Sequence, residues 1–321
     1  MNDPHAIAPR IAVLVPCHNE EAAIGRVVAG FSAALPGATV FVYDNNSTDG
    51  TIAAARAAGA VVRREPQQGK GNVVRRMLAD VEADVFVLVD GDDTYDPSAA
   101  PAMVRMLLEE RLDMVTGVRV TAPAGAGAAY RPGHVFGNKV LTGLVAAVFG
   151  DRISDMLSGY RVFSRRFAKS FPALAEGFET ETEFTVHALE LRLPVGEIAT
   201  AYRERPPGSL SKLSTFRDGW RILRSIAGLV KRERPLAFFG LIAAVLVGLG
   251  AVLFVPVLGT YLDTGLVPRM PTLMAVVGLW ILGSLSMACG LILDTVTRGR
   301  REMKRLAYLA VGPAREVIVP P

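Results

Sequence analysis

Cysteine is nearly missing from this 321-residue chain: only Cys17 and Cys289 occur, with no CxxC pair and no histidine at metal-ligand spacing. Neither a disulfide framework nor a zinc site is therefore expected, and a reducing compartment fits. No glycine precedes Gly25, so the first β-rich run cannot open into the GxGxxG turn of a dinucleotide fold. Gly69-Lys70-Gly71 lacks the frame of a P-loop. A calcium loop starting at Asp90 fails as well, because Tyr95 stands where a turn glycine belongs and Pro101 where a bidentate glutamate belongs. An excess of one charge is also absent: 35 basic against 31 acidic residues leave +4, and the basic residues gather beside apolar segments, so no nucleic acid is expected as a partner. Residues 1–10 contain no apolar stretch of the signal-peptide kind, so export of the body is not expected.

What the chain does contain is two kinds of material. Half of its residues are hydrophobic, yet residues 236–293 carry only Asp263 and Arg269 as charges, while the rest has the charge density of a soluble domain. Leu236–Leu258 and Thr272–Leu293 are apolar runs, each long enough to cross a hydrocarbon core of about 30 Å as a helix. Lys231, Arg232 and Arg234 precede the first run, and Arg298, Arg300, Arg301, Lys304 and Arg305 follow the second. The connection holds Arg269 alone. This bias predicts two spans in the inner (cytoplasmic) membrane, with the body and both termini in the cytoplasm. Phe216, Trp220, Leu223, Ala227 and Val230 recur at helical spacing beside Arg217, Arg221 and Arg224, which predicts an amphipathic helix in the headgroup layer of the bilayer. Gly240, Gly248 and Gly250 suit close helix packing, against the second span or against another copy of the chain in a homo-oligomer. The expected organisation is a cytoplasmic globular domain over 1–212, a juxtamembrane helix over 213–235, a two-helix hairpin over 236–293 and a basic tail over 294–321.

Within the globular part, Ile11–Val15, Val40–Tyr43, Val61–Val62, Val85–Val89 and Met114–Val118 are short β-rich runs separated by Ala- and Leu-rich stretches of helical spacing. Such alternation predicts an α/β doubly wound sheet, whose ligands bind at the carboxyl ends of the strands. Those ends are polar here: Pro16-Cys17-His18-Asn19-Glu20-Glu21, then Asp44 to Gly50, then Asp90-Gly91-Asp92-Asp93. Asp90 and Asp92 flank one glycine, so a tight turn can aim both carboxylates at a common hard cation, Mg²⁺ or Mn²⁺. Two carboxylates with open positions suit a metal that also holds phosphates.

With these three strand ends in order, the sequence resembles family 2 glycosyltransferases, whose nucleotide-sugar domain carries P-x-x-N-E, D-x-x-S-x-D-G-T and D-x-D motifs. Pro16 to Glu20, Asp44 to Thr51 and Asp90 to Asp92 match them. Ser158-Gly159-Tyr160-Arg161-Val162-Phe163 looks like the SGFR-type motif of the polyprenyl-phosphate branch, and Arg203 to Lys212 like its ER-x-x-G-x-S-K segment, with one extra residue. The resemblance implies a mixed doubly wound sheet of GT-A type and an inverting, metal-dependent transfer of one sugar from a nucleoside diphosphate sugar to a polyprenyl phosphate. It implies that residues 1–212 form the catalytic domain. Pro16, Asn19, Glu20, Asp44, Asn46, Gly69, Lys70, Asp90, Gly91 and Asp92 would bind the nucleotide sugar, with Asp90 and Asp92 as metal ligands. A ribose diol suits Glu20, and a base ring N–H suits Asp44. Thr94 stands where the family often has a further polar ligand.

A lipid phosphate is already mostly ionised at neutral pH, its second pKa being about 6, so the acceptor needs cations to align it more than a base to deprotonate it. Arg131, Asn138, Ser158, Arg161, Arg205, Ser211 and Lys212 are the expected acceptor-phosphate residues. Asp155 is the third expected catalytic carboxylate beside Asp90 and Asp92, read as orienting rather than as an obligatory base. Glu181 and Glu183 read as a solvated helix face, His18 and His187 as packing or capping residues, and residues 121–129, rich in Gly and Ala, as a loop over the donor or a plain linker. A processive synthase is disfavoured because the only glutamines, Gln67 and Gln68, lie far from either tryptophan. A noncatalytic nucleotide-sugar scaffold would waste the ordered carboxylates and arginines.

Overall fold

A computed structural model of the chain describes residues 8–120, 154–203 except 178, then 228 and 231–312. It forms two compact units, residues 1–222 with 304–321 and residues 223–303. In the first, the strands are β1 (Ile11–Cys17), β2 (Thr39–Asp44), β3 (Val61–Arg64), β4 (Val85–Leu88), β5 (Met114–Val120), β6 (Arg161–Ser164) and β7 (Val195–Ala201). The helices are α1 (Glu21–Ala34), α2 (Thr51–Ala57), α3 (Lys70–Asp80), α4 (Ala100–Glu109), α5 (Arg165–Ser170) and α6 (Thr180–Leu191). All strands lie in one sheet of order β3-β2-β1-β4-β6-β5-β7. Only β6 runs antiparallel to its neighbours β4 and β5, so the expected mixed sheet is present among the described residues.

Alternation along the central strands sorts side chains to two cores. Val85, Val87 and Val162 join Val13, Val15, Ile24, Phe31, Met103 and Leu107 on one face. The intervening Phe163 points the other way and stacks on Phe167 with ring centroids 4.7 Å apart, while Phe171 meets Phe184 at 4.6 Å. Along α1, Ala23, Ile24, Val27, Val28 and Phe31 are buried, the spacing of one helical stripe on the sheet.

The chain leaves β1 for β2 on one side and pairs it with β4 on the other, which opens a crevice at the carboxyl ends of these strands. Cys17 is level with Asp44 and Leu14 with Leu88. The three polar strand ends therefore leave the sheet at the same edge.

The second unit holds α7 (Pro235–Thr264) and most of α8 (Met270–Ala310), both long and apolar enough to cross a membrane. Only 17% of the most apolar window of each is buried, which is unlike a core helix of a soluble protein. Leu241, Val252 and Ile281 are more than 60% exposed. Beyond Pro235 at the start of α7, the buried positions are Ala243, Gly250 and Val257 on α7, and Val276, Gly283, Gly290 and Thr297 on α8, each series stepping by seven residues. This seam is built from small residues. Trp280 Nε1 donates to the Val247 carbonyl at 3.3 Å beside Gly250, and Ser286 Oγ to the Phe239 carbonyl at 3.0 Å beside Gly290. Gly250 packs on the second helix, where a Cβ would lie 2.6 Å from Trp280 Nε1, while a Cβ on Gly248 would meet nothing within 4 Å. The expected basic tail begins as a continuation of α8. Lys304 pairs with the buried Glu190 at 2.6 Å and Tyr308 OH donates to Asp113 at 2.9 Å, both within the first unit.

Candidate functional site

At the carboxyl edge of the sheet, side chains bind the three strand-end loops to one another. Asn19, at φ 54°, accepts from the Thr48 N–H at 2.8 Å and its own N–H donates to Ser47 Oγ at 2.9 Å. Asparagine tolerates this left-handed conformation better than most residues. Asn46, at φ 63°, donates to the Pro66 carbonyl at 2.9 Å. Asn45 donates to the Glu65 and Gln67 carbonyls and accepts from the Gly69 N–H at 2.7 Å, which fixes the approach to α3. Asn19 and Asn46, expected to bind donor, thus join one loop to the next. Asp44 is fully buried, accepts from Ser47 N–H at 3.3 Å and lies 3.6 Å from Arg64. His18 meets the Asn45 carbonyl at 2.8 Å, in keeping with a capping role.

Cys17 lies at the centre of this edge. Burial pushes its thiol well up, and Glu20, Asp44, Asp90 and Asp92 push it further. A Cβ on Gly91 would sit 2.5 Å from Cys17 Sγ, so only glycine lets the Asp90–Asp92 turn lie this close to β1. Asp92, buried, accepts from Thr94 Oγ1 at 2.6 Å and from the Thr94 N–H at 3.3 Å. Thr94, two residues beyond Asp92, thus holds that carboxylate in place. Asp93 turns away at φ 61° to pair with Arg26 at 2.7 Å.

Lys70 is the cation beside Asp90 among the described residues. Its Nζ lies 2.5 Å from Asp90 Oδ1 and pairs also with Glu181 Oε1. Burial opposes its charge, but the two carboxylates outweigh burial and hold its pKa above the ordinary lysine value. Glu181 is only 5% exposed, so the expectation of a solvated face is wrong. Glu183 accepts from the Leu174 and Ala175 N–H groups at 2.9 Å each. Hard oxygens from Asp90 and Asp92 suit a divalent cation, and a cation already rests on Asp90. Among the described residues no cluster of three His, Cys, Asp or Glu side chains forms a closed metal site, so any ion here takes ligands from a bound phosphate or water as well.

The turn before β6 closes over the same point. Gly159 donates its N–H to Tyr95 OH at 2.8 Å, and a Cβ on Gly159 would run into the Asp90 carboxylate. Ser158 and Arg161, expected to hold acceptor phosphate, build this turn. Ser158 Oγ donates to the Gly117 carbonyl at 2.6 Å. Arg161 is fully buried and donates to the carbonyls of Ser158 at 3.0 Å and Met156 at 2.7 Å and to Thr185 Oγ1 at 3.0 Å. Burial lowers its pKa to about 10, only partly offset by Glu181 and Asp155, and it stays charged at neutral pH. These donated bonds tie Arg161 to the turn before β6 and to α6.

Asp155 is engaged as well. Arg119 Nε and Nη2 donate to its two oxygens at 2.7 Å each, and the Arg119 N–H adds a bond at 3.3 Å. Burial would raise the Asp155 pKa, but these contacts hold it below the ordinary value. The Arg119 guanidinium also lies over the Tyr202 ring, 5.6 Å from its centroid. Arg119 and Tyr95 were not among the expected residues, although Arg119 follows Val118 at a strand's carboxyl end, the place where the sheet rule looks for ligands. Arg131, Asn138, Arg205, Ser211, Lys212, the loop at 121–129 and the amphipathic stretch from Phe216 to Val230 lie outside the described residues except for Gly228.

Comparison with known proteins adds to this picture. The sequence model of Glycosyl transferase family 2 matches residues 12–171. Glycosyltransferase AglJ of Haloferax volcanii is 34% identical over 253 residues, covering 76% of this chain and 80% of that protein. Dolichyl-phosphate hexose transferase of the same organism is 29% identical over 224 residues, covering 70% and 95%. Among solved structures, glucosyl-3-phosphoglycerate synthase from Mycobacterium tuberculosis in complex with Mn²⁺, uridine diphosphate and glucosyl-3-phosphoglycerate superposes with a TM-score of 0.57 at 25% identity, covering 70% of this chain and 80% of that one.

Proposed function

This chain belongs to glycosyl transferase family 2, and from that premise we propose that it moves one sugar, with inversion, from a uridine diphosphate sugar to a polyprenyl phosphate at the cytoplasmic face of the inner membrane. It is a glycosyltransferase with the GT-A-type mixed sheet and two helices able to span a bilayer. The observation that carries the finer reading is the gathering of three polar strand ends at one edge of the sheet, with Cys17 level with Asp44 and the Asp90–Asp92 turn packed through Gly91 on the Cys17 sulfur, in a unit whose chain continues into those helices. The uridine diphosphate and Mn²⁺ of the structural neighbour support the donor and metal, and the dolichyl-phosphate relative supports the acceptor.

Asp44 and Glu20 accept hydrogen bonds from base and ribose. Asp90 and Asp92 would hold Mg²⁺ or Mn²⁺, and that ion would supply charge neutralisation for the departing diphosphate. The acceptor phosphate, already anionic, places an oxygen behind the anomeric carbon; the new C–O bond forms as the bond to the diphosphate breaks, and the centre inverts. No proton needs to be removed. Asp155, paired with Arg119 and held ionised, therefore serves by orienting that arginine toward the acceptor side. Arg131, Arg205 and Lys212 complete the phosphate cradle.

The test is transfer of radiolabel from a panel of UDP-sugars and GDP-sugars to undecaprenyl phosphate in detergent with Mg²⁺ or Mn²⁺. Labelled lipid from a UDP-sugar, lost in Asp92→Asn, is expected. Metal-dependent nucleotide binding without transfer to any polyprenyl phosphate would refute the acceptor.

A further inference from the structure

Lys70 is held to two carboxylates in different ways. Its backbone is fastened to the segment that leads into α6: the Gly71 N–H donates to the Glu176 carbonyl at 3.1 Å, and a Cβ on Gly69 or Gly71 would collide with the backbone of Ala175 or Glu176. Gly69 sits at φ 131°, a conformation that favours glycine. Glu181 lies in the first turn of that same helix. Asp90, by contrast, leaves from β4 and is tied to Lys70 through the side chain alone, with 29% of its own side chain exposed. The lysine thus sits on the Glu181 side and reaches across to Asp90. Glu181 has spare capacity, because its Oε2 is buried without a hydrogen-bond partner among the described residues.

We propose that Lys70 is the resident counter-cation of Asp90, and that Glu181 is the positioning residue that takes Lys70 over when Asp90 is claimed by a divalent cation. This rests on the metal reading above. Asp90, Glu181 and Lys70 together carry one net negative charge. Once Asp90 turns to the metal, Lys70 and Glu181 remain as a neutral buried pair instead of a stranded ammonium, a state whose cost would otherwise oppose metal binding. Glu181 therefore tunes metal affinity through Lys70 without touching the metal.

Mn²⁺ titration of the full chain in detergent, read by the electron paramagnetic resonance of free Mn²⁺ with uridine diphosphate present, separates the roles in a double-mutant cycle. Glu181→Gln is expected to weaken Mn²⁺ binding about tenfold and Lys70→Met to tighten it, while in the Lys70→Met background Glu181→Gln changes it less than about twofold. Glu181→Asp restores part of the affinity. Equal weakening by Glu181→Gln in both backgrounds would overturn the proposal and leave the metal reading intact, since Glu181 would then act on the ion directly. Failure of both the wild type and Lys70→Met to bind Mn²⁺ would overturn the two together. Circular dichroism of each variant confirms that the compared proteins are folded.

Discussion

Replacing Asp155 by Asn tests whether this carboxylate orients Arg119 or removes a proton. The pair is two-pronged, with both N–O distances 2.7 Å, and its side chains are 6% and 16% exposed. Breaking a buried pair by removing one partner costs about 3–5 kcal/mol. Asn keeps one acceptor oxygen for the guanidinium, so about 2–3 kcal/mol is expected for Asp155→Asn, and a similar loss for Arg119→Gln. The double variant strands no charge and should lose about 2 kcal/mol less than the sum of the singles. Urea unfolding in detergent micelles, followed by circular dichroism at neutral pH, measures all three. In transfer assays the two single variants should lower kcat/KM by the same factor, and the double variant no further. The pH profile completes the test. A carboxylate held below its ordinary pKa by Arg119 is already ionised throughout the neutral range and contributes no acid limb there. An acid limb in kcat/KM between about pH 6 and 8 that vanished in Asp155→Asn would refute the orienting role, and so would additive stability losses.

Asp92→Asn should reduce transfer at least about a hundredfold, and Thr94→Val, which removes the 2.6 Å bond to Asp92, by a smaller factor that excess Mn²⁺ partly restores. A Thr94→Val enzyme indifferent to metal concentration would rule out the orienting role of Thr94. His187 is packed against Phe167 and Phe171, and burial, aided by Lys304, brings its pKa down to about 4 from 6.5. The unfolded chain then takes up a proton below about pH 6.5 that the folded chain refuses until about pH 4, so stability is full above that window and falls through it by up to about 3 kcal/mol. His187→Leu should flatten this decline, and an unchanged acid slope in urea unfolding would contradict the assignment. Gly71→Ala should cost stability through collision with the Ala175 carbonyl and should slow transfer as well, since the collision displaces Lys70; a fully active, fully stable variant would show that the backbone clamp is unimportant.

The first five strands are legible because each is a short β-rich run, and Asp44, Asp90 and Asp92 stand at the polar ends of two of them; β7 (Val195–Ala201), parallel to β5, is missing from that reading. Arg161–Ser164 was read as a motif rather than a strand, since a four-residue antiparallel strand starting with arginine carries no alternation to detect. Glu181 was misjudged for a related reason. An acidic first turn is the ordinary signature of an exposed helix start, and only the tertiary arrangement that brings Lys70 alongside makes it an internal anion. Ser158 and Arg161 stood in the right segment, but sequence gives no direction to a side chain, and here both turn inward to support the backbone that covers Asp90.

The seven-residue rhythm of Ala243, Gly250 and Val257 against Val276, Gly283 and Gly290 divides the hairpin's sequence into two regimes of tolerance. Backbone proximity holds that stripe together, so one added methyl at Gly283, where a Cβ would already lie 2.8 Å from Val247, is a larger insult than exchanging several outward leucines for isoleucine or valine. Natural drift in this anchor should accordingly be lopsided, free around most of each cylinder and arrested along a single line.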